Sequence, residues 1–228
     1  MSSQDTKKKK LYALIIYSAA FYTIWSVYEF FGKPILNSLI ENEAIAMLIK
    51  SGVIKNLTWT LPAALLVHHF RSDVYISLKE MFTTKVKWLR FLPVFLIFTA
   101  YNLLTAFVLN GKLAIAESFG MDDIILLLFV GLTEEMVFRG WLLNATLRED
   151  KKWICIGINA LMFLAIHFPR WICDGIFIGY FTGFGFIGIM ALGIIFSWTF
   201  IKSRNILVPI VLHMYWDLLS FMLVSDKY

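Results

Sequence analysis

Glu134 and Glu135 stand side by side inside an apolar stretch, Asp123 to Leu147, and Arg139 follows within it. A charge near the centre of a bilayer costs about 2.5–3.5 kcal/mol even on lenient insertion scales, so three charges in six residues need compensation or a function. Helical geometry gives them different jobs. Glu135 and Arg139 are four residues apart, share a face and can form an internal ion pair. Glu134 is rotated by about 100° from Glu135 and about 140° from Arg139, so it points at another helix and needs a polar partner there.

Two other apolar stretches offer such partners. His167 follows Phe163 by four residues, and His213 precedes Asp217 by four. At about 1.5 Å per residue, Glu134 lies about 20 Å from Arg148, and His167 is a similar distance from Lys152. His213 and Asp217 lie about 12–20 Å from Arg204 on the same scale. A hydrocarbon core about 30 Å thick therefore holds all four in one slab. A carboxylate and an imidazole converging on one water can deprotonate it and later protonate a leaving amine. A second imidazole with its Asp can stabilise an oxyanion. Glu134, His167 and His213 also make up the His₂Glu set that holds catalytic zinc in other enzymes. The metal-free chemistry is the preferred expectation, with Zn²⁺ on those three residues as the alternative. No Ser or Cys stands with a His in a nucleophile motif. Each part also has a plainer structural reading: a lone intramembrane His is often an interhelical hydrogen bonder, Glu135–Arg139 reads as a bracket, and His213–Asp217 could be a buried polar pair.

The elements that must position these residues are helices in a membrane. The 228 residues are 59% hydrophobic, with a mean hydropathy of +0.72, against about 45–50% apolar in a soluble domain. Long apolar runs, without the ten-residue alternation of a barrel, predict an all-α polytopic bundle. Seven spans are expected, at about Leu11–Phe31, Val53–Phe70, Phe91–Asn110, Asp123–Leu147, Trp153–Phe168, Gly175–Ile201 and Ile206–Val224. A break at Gly183–Gly188 would make eight. Residues 35–50 suit an interfacial amphipathic helix or a short structured loop. No repeat is visible, so 1–228 reads as one membrane-embedded domain, with 123–224 as its motif-bearing core.

The basic residues orient that bundle. With Lys7–Lys10 in the cytoplasm, the same side collects Arg71, Lys79, Lys85, Lys87, Arg90, Arg148, Lys151, Lys152, Lys202 and Arg204, 14 in all, against six opposite: Lys33, Lys50, Lys55, Lys112, Arg170 and Lys227. The net charge of +5 is thus a topology signal, and the dispersed cations argue against nucleic acid as a partner. Cys155 and Cys173 imply no disulfide framework. The glycines from Gly175 to Gly193 read as close helix packing in preference to a flexible substrate-adjacent helix. His68 and His69 read as interface residues. The N-terminal segment reads as an uncleaved first helix.

Glu134-Glu135-x-x-x-Arg139, Phe163-x-x-x-His167 and His213-x-x-x-Asp217, in this order on separate spans, resemble the CAAX protease and bacteriocin-processing (CPBP, or Abi) family of intramembrane endopeptidases. The resemblance covers roughly Asp123–Val224, and the three motifs are specific together, not singly. It implies that Glu134 and His167 activate water, that His213 and Asp217 belong to the oxyanion site, and that Glu135 and Arg139 support them. Asn is the more usual residue where Asp217 stands. An ionised Asp cannot donate to an oxyanion, so Asp217 is expected to orient His213.

The resulting expectation is an integral endopeptidase of a prokaryotic cell membrane, N-terminus cytoplasmic, with a cavity opening toward the membrane or cytoplasm. Its partners are the lipid bilayer and a peptide or protein substrate. The substrate is either a prenylated CAAX tail or a bacteriocin or signal peptide, and no residue pattern signals an oligomeric state. Two rival classes remain: a non-proteolytic immunity or regulatory scaffold, and a small proton-coupled transporter.

Overall fold

The computed structural model describes residues 3–224, and among them the secondary structure is helical with no strand. Helix α1 runs through Asp5–Leu39, at about 1.5 Å per residue some 50 Å and longer than a bilayer core. The chain breaks at Ile40, and Asn42 caps α2 (residues 43–69) by accepting from the Ile45 amide at 3.0 Å. The short α3 (Leu78–Thr83) opens on a Ser77–Glu80 capping box. Helix α4 spans Trp88–Asn110 and stops at Gly111, whose φ of 68° is the left-handed conformation that glycine adopts without penalty.

Helix α5 (residues 121–146) carries Glu134, Glu135 and Arg139. Helix α6 covers Glu149–Cys173, with a turn at residues 166–167 ahead of Pro169. Then come the six-residue α7 (Phe177–Thr182), α8 (Gly185–Ser203) and α9 (Leu207–Leu223). Four of these, α1, α4, α6 and α8, are long and apolar enough to cross a membrane by length and composition, and α9 is a shorter apolar helix. The charges on α5 keep it out of that group.

Two expected boundaries move. The segment expected to cross at Gly175–Ile201 is interrupted at Gly183–Phe184, where Phe184 takes a positive φ of 61°. The piece before the interruption, at about 9 Å, is too short to cross. The helix that carries the expected second span begins at Glu43, ten residues before Val53, because the apolar groups of residues 43–52 continue one helix through wide π turns at Leu48–Ile54 and Asn56–Thr60.

Two close approaches set the helix spacing. A Cβ on Gly131 of α5 would come within 2.9 Å of the Ile210 carbonyl oxygen and 2.7 Å of Met214 Cγ on α9. A Cβ on Gly193 of α8 would come within 3.0 Å of Ala160 Cα on α6. Of the glycines from 175 to 193, Gly193 therefore does the expected interhelical packing, whereas Gly175, Gly179 and Gly188 face open space.

Gly131→Ala should push α5 from α9 and destabilise the protein by about 1–3 kcal/mol, the usual cost of overpacking. Gly157→Ala, where an added Cβ meets nothing within 4 Å, should be neutral or slightly stabilising. Thermal unfolding midpoints of the two variants in detergent check this.

Candidate active site

Glu135 and Arg139 lie beneath the site and are fully buried. Arg139 Nη1 donates to Glu135 Oε1 at 3.0 Å and Nη2 donates to the Gly193 carbonyl at 2.8 Å. Its Nε reaches Ser197 Oγ at 3.4 Å, and that hydroxyl lies 3.0 Å from Asn159 Oδ1. Asn159 in turn donates to the Phe138 carbonyl at 2.9 Å. The guanidinium also sits 4.6 Å from the centre of the Phe163 ring and 5.4 Å from that of Phe196. One cation thus joins α5, α6 and α8, its charge met by a carboxylate, a carbonyl and two ring faces.

The fourth helix of the site joins through the same carboxylate. His213 Nδ1 on α9 donates to Glu135 Oε1 at 2.9 Å. This turns the ring so that Nε2 faces Asp217 Oδ2 at 3.5 Å and Glu134 Oε2 at 3.9 Å. The ring stacks on Phe196 at 4.8 Å between centroids. Asp217 was expected to orient His213. Glu135 occupies that place, and Asp217 lies at the other nitrogen, beyond the range of a strong hydrogen bond.

His167 occupies the turn in α6. Its Nδ1 lies 3.0 Å from the Phe163 carbonyl, and since a carbonyl can only accept, Nδ1 carries the proton. In the neutral ring Nε2 is then the free acceptor. The Phe163 ring meets His167 edge-on at 5.5 Å and His213 at 5.8 Å. The aromatic residue of the second motif is the wall against which both imidazoles rest.

Glu134, His167, His213 and Asp217, carried on α5, α6 and α9, line one cavity of ≈ 420 Å³. Glu134 points away from Arg139, as its rotation around the helix requires, and its nearest cation was not anticipated. Lys55 Nζ of α2 lies 3.5 Å from Glu134 Oε1. The ammonium is held over the rings of Trp59 and Trp25, 4.6 and 5.1 Å from their centres. Lys55 counted as a loop cation in the sequence, although it falls two residues inside the apolar run that starts at Val53. That position inside the run was the available signal. His68 and His69 are exposed at the far end of α2 and take no part.

The zinc alternative requires Glu134, His167 and His213 to converge on one point. Among the described residues no group of three or more His, Cys, Asp or Glu side chains is arranged to hold a metal ion. His213 Nδ1 is bound to Glu135, and Nε2 is the nitrogen that faces Glu134 and Asp217.

An all-helical bundle with apolar spans and a cavity lined by carboxylates and imidazoles defines a class, the helical membrane proteins with an embedded polar site. Within it, the family described as "Rce1-like: Type II CAAX prenyl endopeptidase Rce1-like" has a model that matches residues 118–219. The match takes in all three motifs and a little under half of the chain, and it agrees with the resemblance that the motifs carry. Over that stretch the chain is similar to membrane endopeptidases of the CAAX-protease type. No curated protein matches the chain, and no solved structure does.

Arg139→Ala should leave Glu135 buried beside His213 without its cation, and loss of one partner of a buried pair costs about 3–5 kcal/mol. Arg139→Lys keeps the charge but not the fork that reaches Gly193 and Ser197, so it should recover only part. Unfolding midpoints in detergent that were equal for Arg139→Ala and wild type would contradict the bracket role.

Proposed function

We propose that the protein is an intramembrane endopeptidase in which Glu134 and His167 activate a water molecule directly. The observation that carries this is the convergence of Glu134, His167, His213 and Asp217 on one cavity within the segment similar to CAAX-type endopeptidases. Water between Glu134 and His167 Nε2 loses a proton as its oxygen bonds to the scissile carbonyl carbon. His213, held through Nδ1 by Glu135 and carrying a proton on both nitrogens among the carboxylates of Glu135, Glu134 and Asp217, turns Nε2–H toward the resulting oxyanion and donates to it. Asp217 stands beside that donor. The proton taken from water passes to the amide nitrogen as the C–N bond breaks, releasing an amine and a carboxylic acid. Lys55 is a positioning residue that holds the Glu134 carboxylate toward the cavity.

Zinc is not required in this scheme. The seven crossing segments are α1, α2, α4, α5, α6, α8 and α9, with α5 crossing because Arg139, His213 and Lys55 meet its charges. The N-terminus lies in the cytoplasm of a prokaryotic cell. The substrate is a peptide bond in a membrane-associated polypeptide, the bacteriocin or signal-peptide option included.

A scaffold that only binds a partner does not need a base, an oriented imidazole and a paired carboxylate in one cavity. A proton-coupled carrier needs a path across the bundle. Below the site, Phe21, Trp59, Phe138 and Trp141 are buried in one aromatic and aliphatic cluster, which supports a cavity closed on that side.

Glu134→Ala should lower cleavage of a reporter polypeptide in liposomes by at least about 10²-fold, the usual contribution of a general base. Equal cleavage by variant and wild type would sink the reading. Full activity after exhaustive chelation, with less than stoichiometric metal by elemental analysis, is expected. Loss on chelation and recovery with Zn²⁺ would replace direct water activation by metal chemistry.

A further inference from the structure

The cavity lining reaches one end of the bundle, and the basic residues gather at the other. Its lining includes Lys33, Lys50, Arg170, Tyr180, Gly185 and Ser220, all from the end where α1 meets α2 and α6 meets α8. No residue from the connections at 70–91, 147–151 or 204–206 lines it. Contacts between loops show that each set shares one end. Opposite the mouth, Lys10 Nζ reaches the Asp73 carbonyl, the Tyr75 amide bonds to the Asn144 carbonyl at 2.9 Å, and Asn205 Nδ2 bonds to the Thr84 carbonyl at 2.7 Å. At the mouth, the Ala116 amide bonds to the Met222 carbonyl at 2.8 Å and Asn110 Nδ2 to the Leu223 carbonyl at 3.1 Å.

The cations divide along the same line. Fourteen Lys and Arg residues, from Lys7 to Arg204, lie at the closed end. Lys33, Lys50, Lys112 and Arg170 make four at the mouth end among the described residues, once Lys55 is placed inside the cavity. Lys227, counted with them in the sequence, lies outside the described residues. Short loops rich in Lys and Arg are retained in the cytoplasm.

We infer that the cavity opens on the extracytoplasmic face of the membrane, so that the substrate is an exported or membrane-anchored polypeptide presented from outside the cell. This deepens the peptidase reading and rests on it for the word substrate, but the orientation stands independently. It departs from the expectation of a cavity opening toward the membrane or cytoplasm, and it favours one of the two substrate options. A prenylated tail is completed in the cytoplasm and would meet the closed, basic end. A secreted peptide or a signal segment that has crossed the membrane would meet the mouth.

The test uses the full chain in intact cells with a membrane-impermeant maleimide, in a Cys155→Ser/Cys173→Ser background. Lys112→Cys reports the mouth end and Lys151→Cys the closed end, both at exposed positions. Lys112→Cys should label in intact cells to at least about ten times the extent of Lys151→Cys, which should label only after permeabilisation. The reverse pattern, labelling of both in intact cells, or no labelling of Lys112→Cys before permeabilisation would each overturn the inference. Cleavage of a reporter peptide tethered to one or the other face gives a separate readout. The expected labelling without cleavage on either face would defeat the peptidase reading alone. Cleavage confined to the cytoplasmic face would defeat the orientation alone.

Discussion

The buried pair of Glu135 and Arg139 is the interaction on which the other contacts of the site depend. Four helices meet at its atoms: α5 supplies both charges, α8 a carbonyl and a hydroxyl, α6 the Phe163 ring, and α9 the His213 nitrogen. Burying two ions is expensive, and their attraction offsets that cost only where geometry is good and the remaining donors are satisfied. Here the guanidinium donors find a carboxylate, a carbonyl and a hydroxyl. The pair does no chemistry in the proposed reaction, yet it fixes which way His213 faces.

Aromatic side chains supply the second layer of order. Phe163 touches Arg139, His167 and His213, while Phe196 stacks face to face on His213 and meets Phe163 at 6.4 Å. Rings hold imidazoles without consuming their nitrogens, so hydrogen bonding is left for Glu135, for the Phe163 carbonyl and for a substrate. Trp25 and Trp59 do the same for Lys55, cradling an ammonium whose donors remain directed at Glu134. The site combines strong charges with walls that position them without neutralising them.

Much of this was legible in the sequence, for reasons that can be stated residue by residue. The i,i+4 spacing dictated the Glu135–Arg139 pair, and the 100° rotation separated Glu134 from it. Matching depths brought His167, His213 and Asp217 to the same level. The partner of His213 was not legible, because Asp217 is its neighbour along the helix whereas Glu135 is its neighbour across helices, and only the α5–α9 approach at Gly131 decides between them. Lys55 was missed because a lysine two residues inside an apolar run looks like a loop cation until α2 is seen to begin at Glu43. The interruption at Gly183–Phe184 was visible as a glycine-rich stretch, but its exact place follows from the backbone.

The approach of α8 to α6 at Gly193 has one more consequence. Glu134 is fixed to α5, and His167 is fixed to its own helix through the Phe163 carbonyl. Besides the direct bond from Asn159 to the Phe138 carbonyl, what connects the two is Arg139 reaching across to the Gly193 backbone, and Gly193 resting on Ala160. The gap available to a water molecule between base and imidazole is therefore gauged by a residue with no side chain, remote from the water itself. In mechanical terms the site is a caliper whose jaws are the carboxylate and the imidazole, and its screw is a glycine.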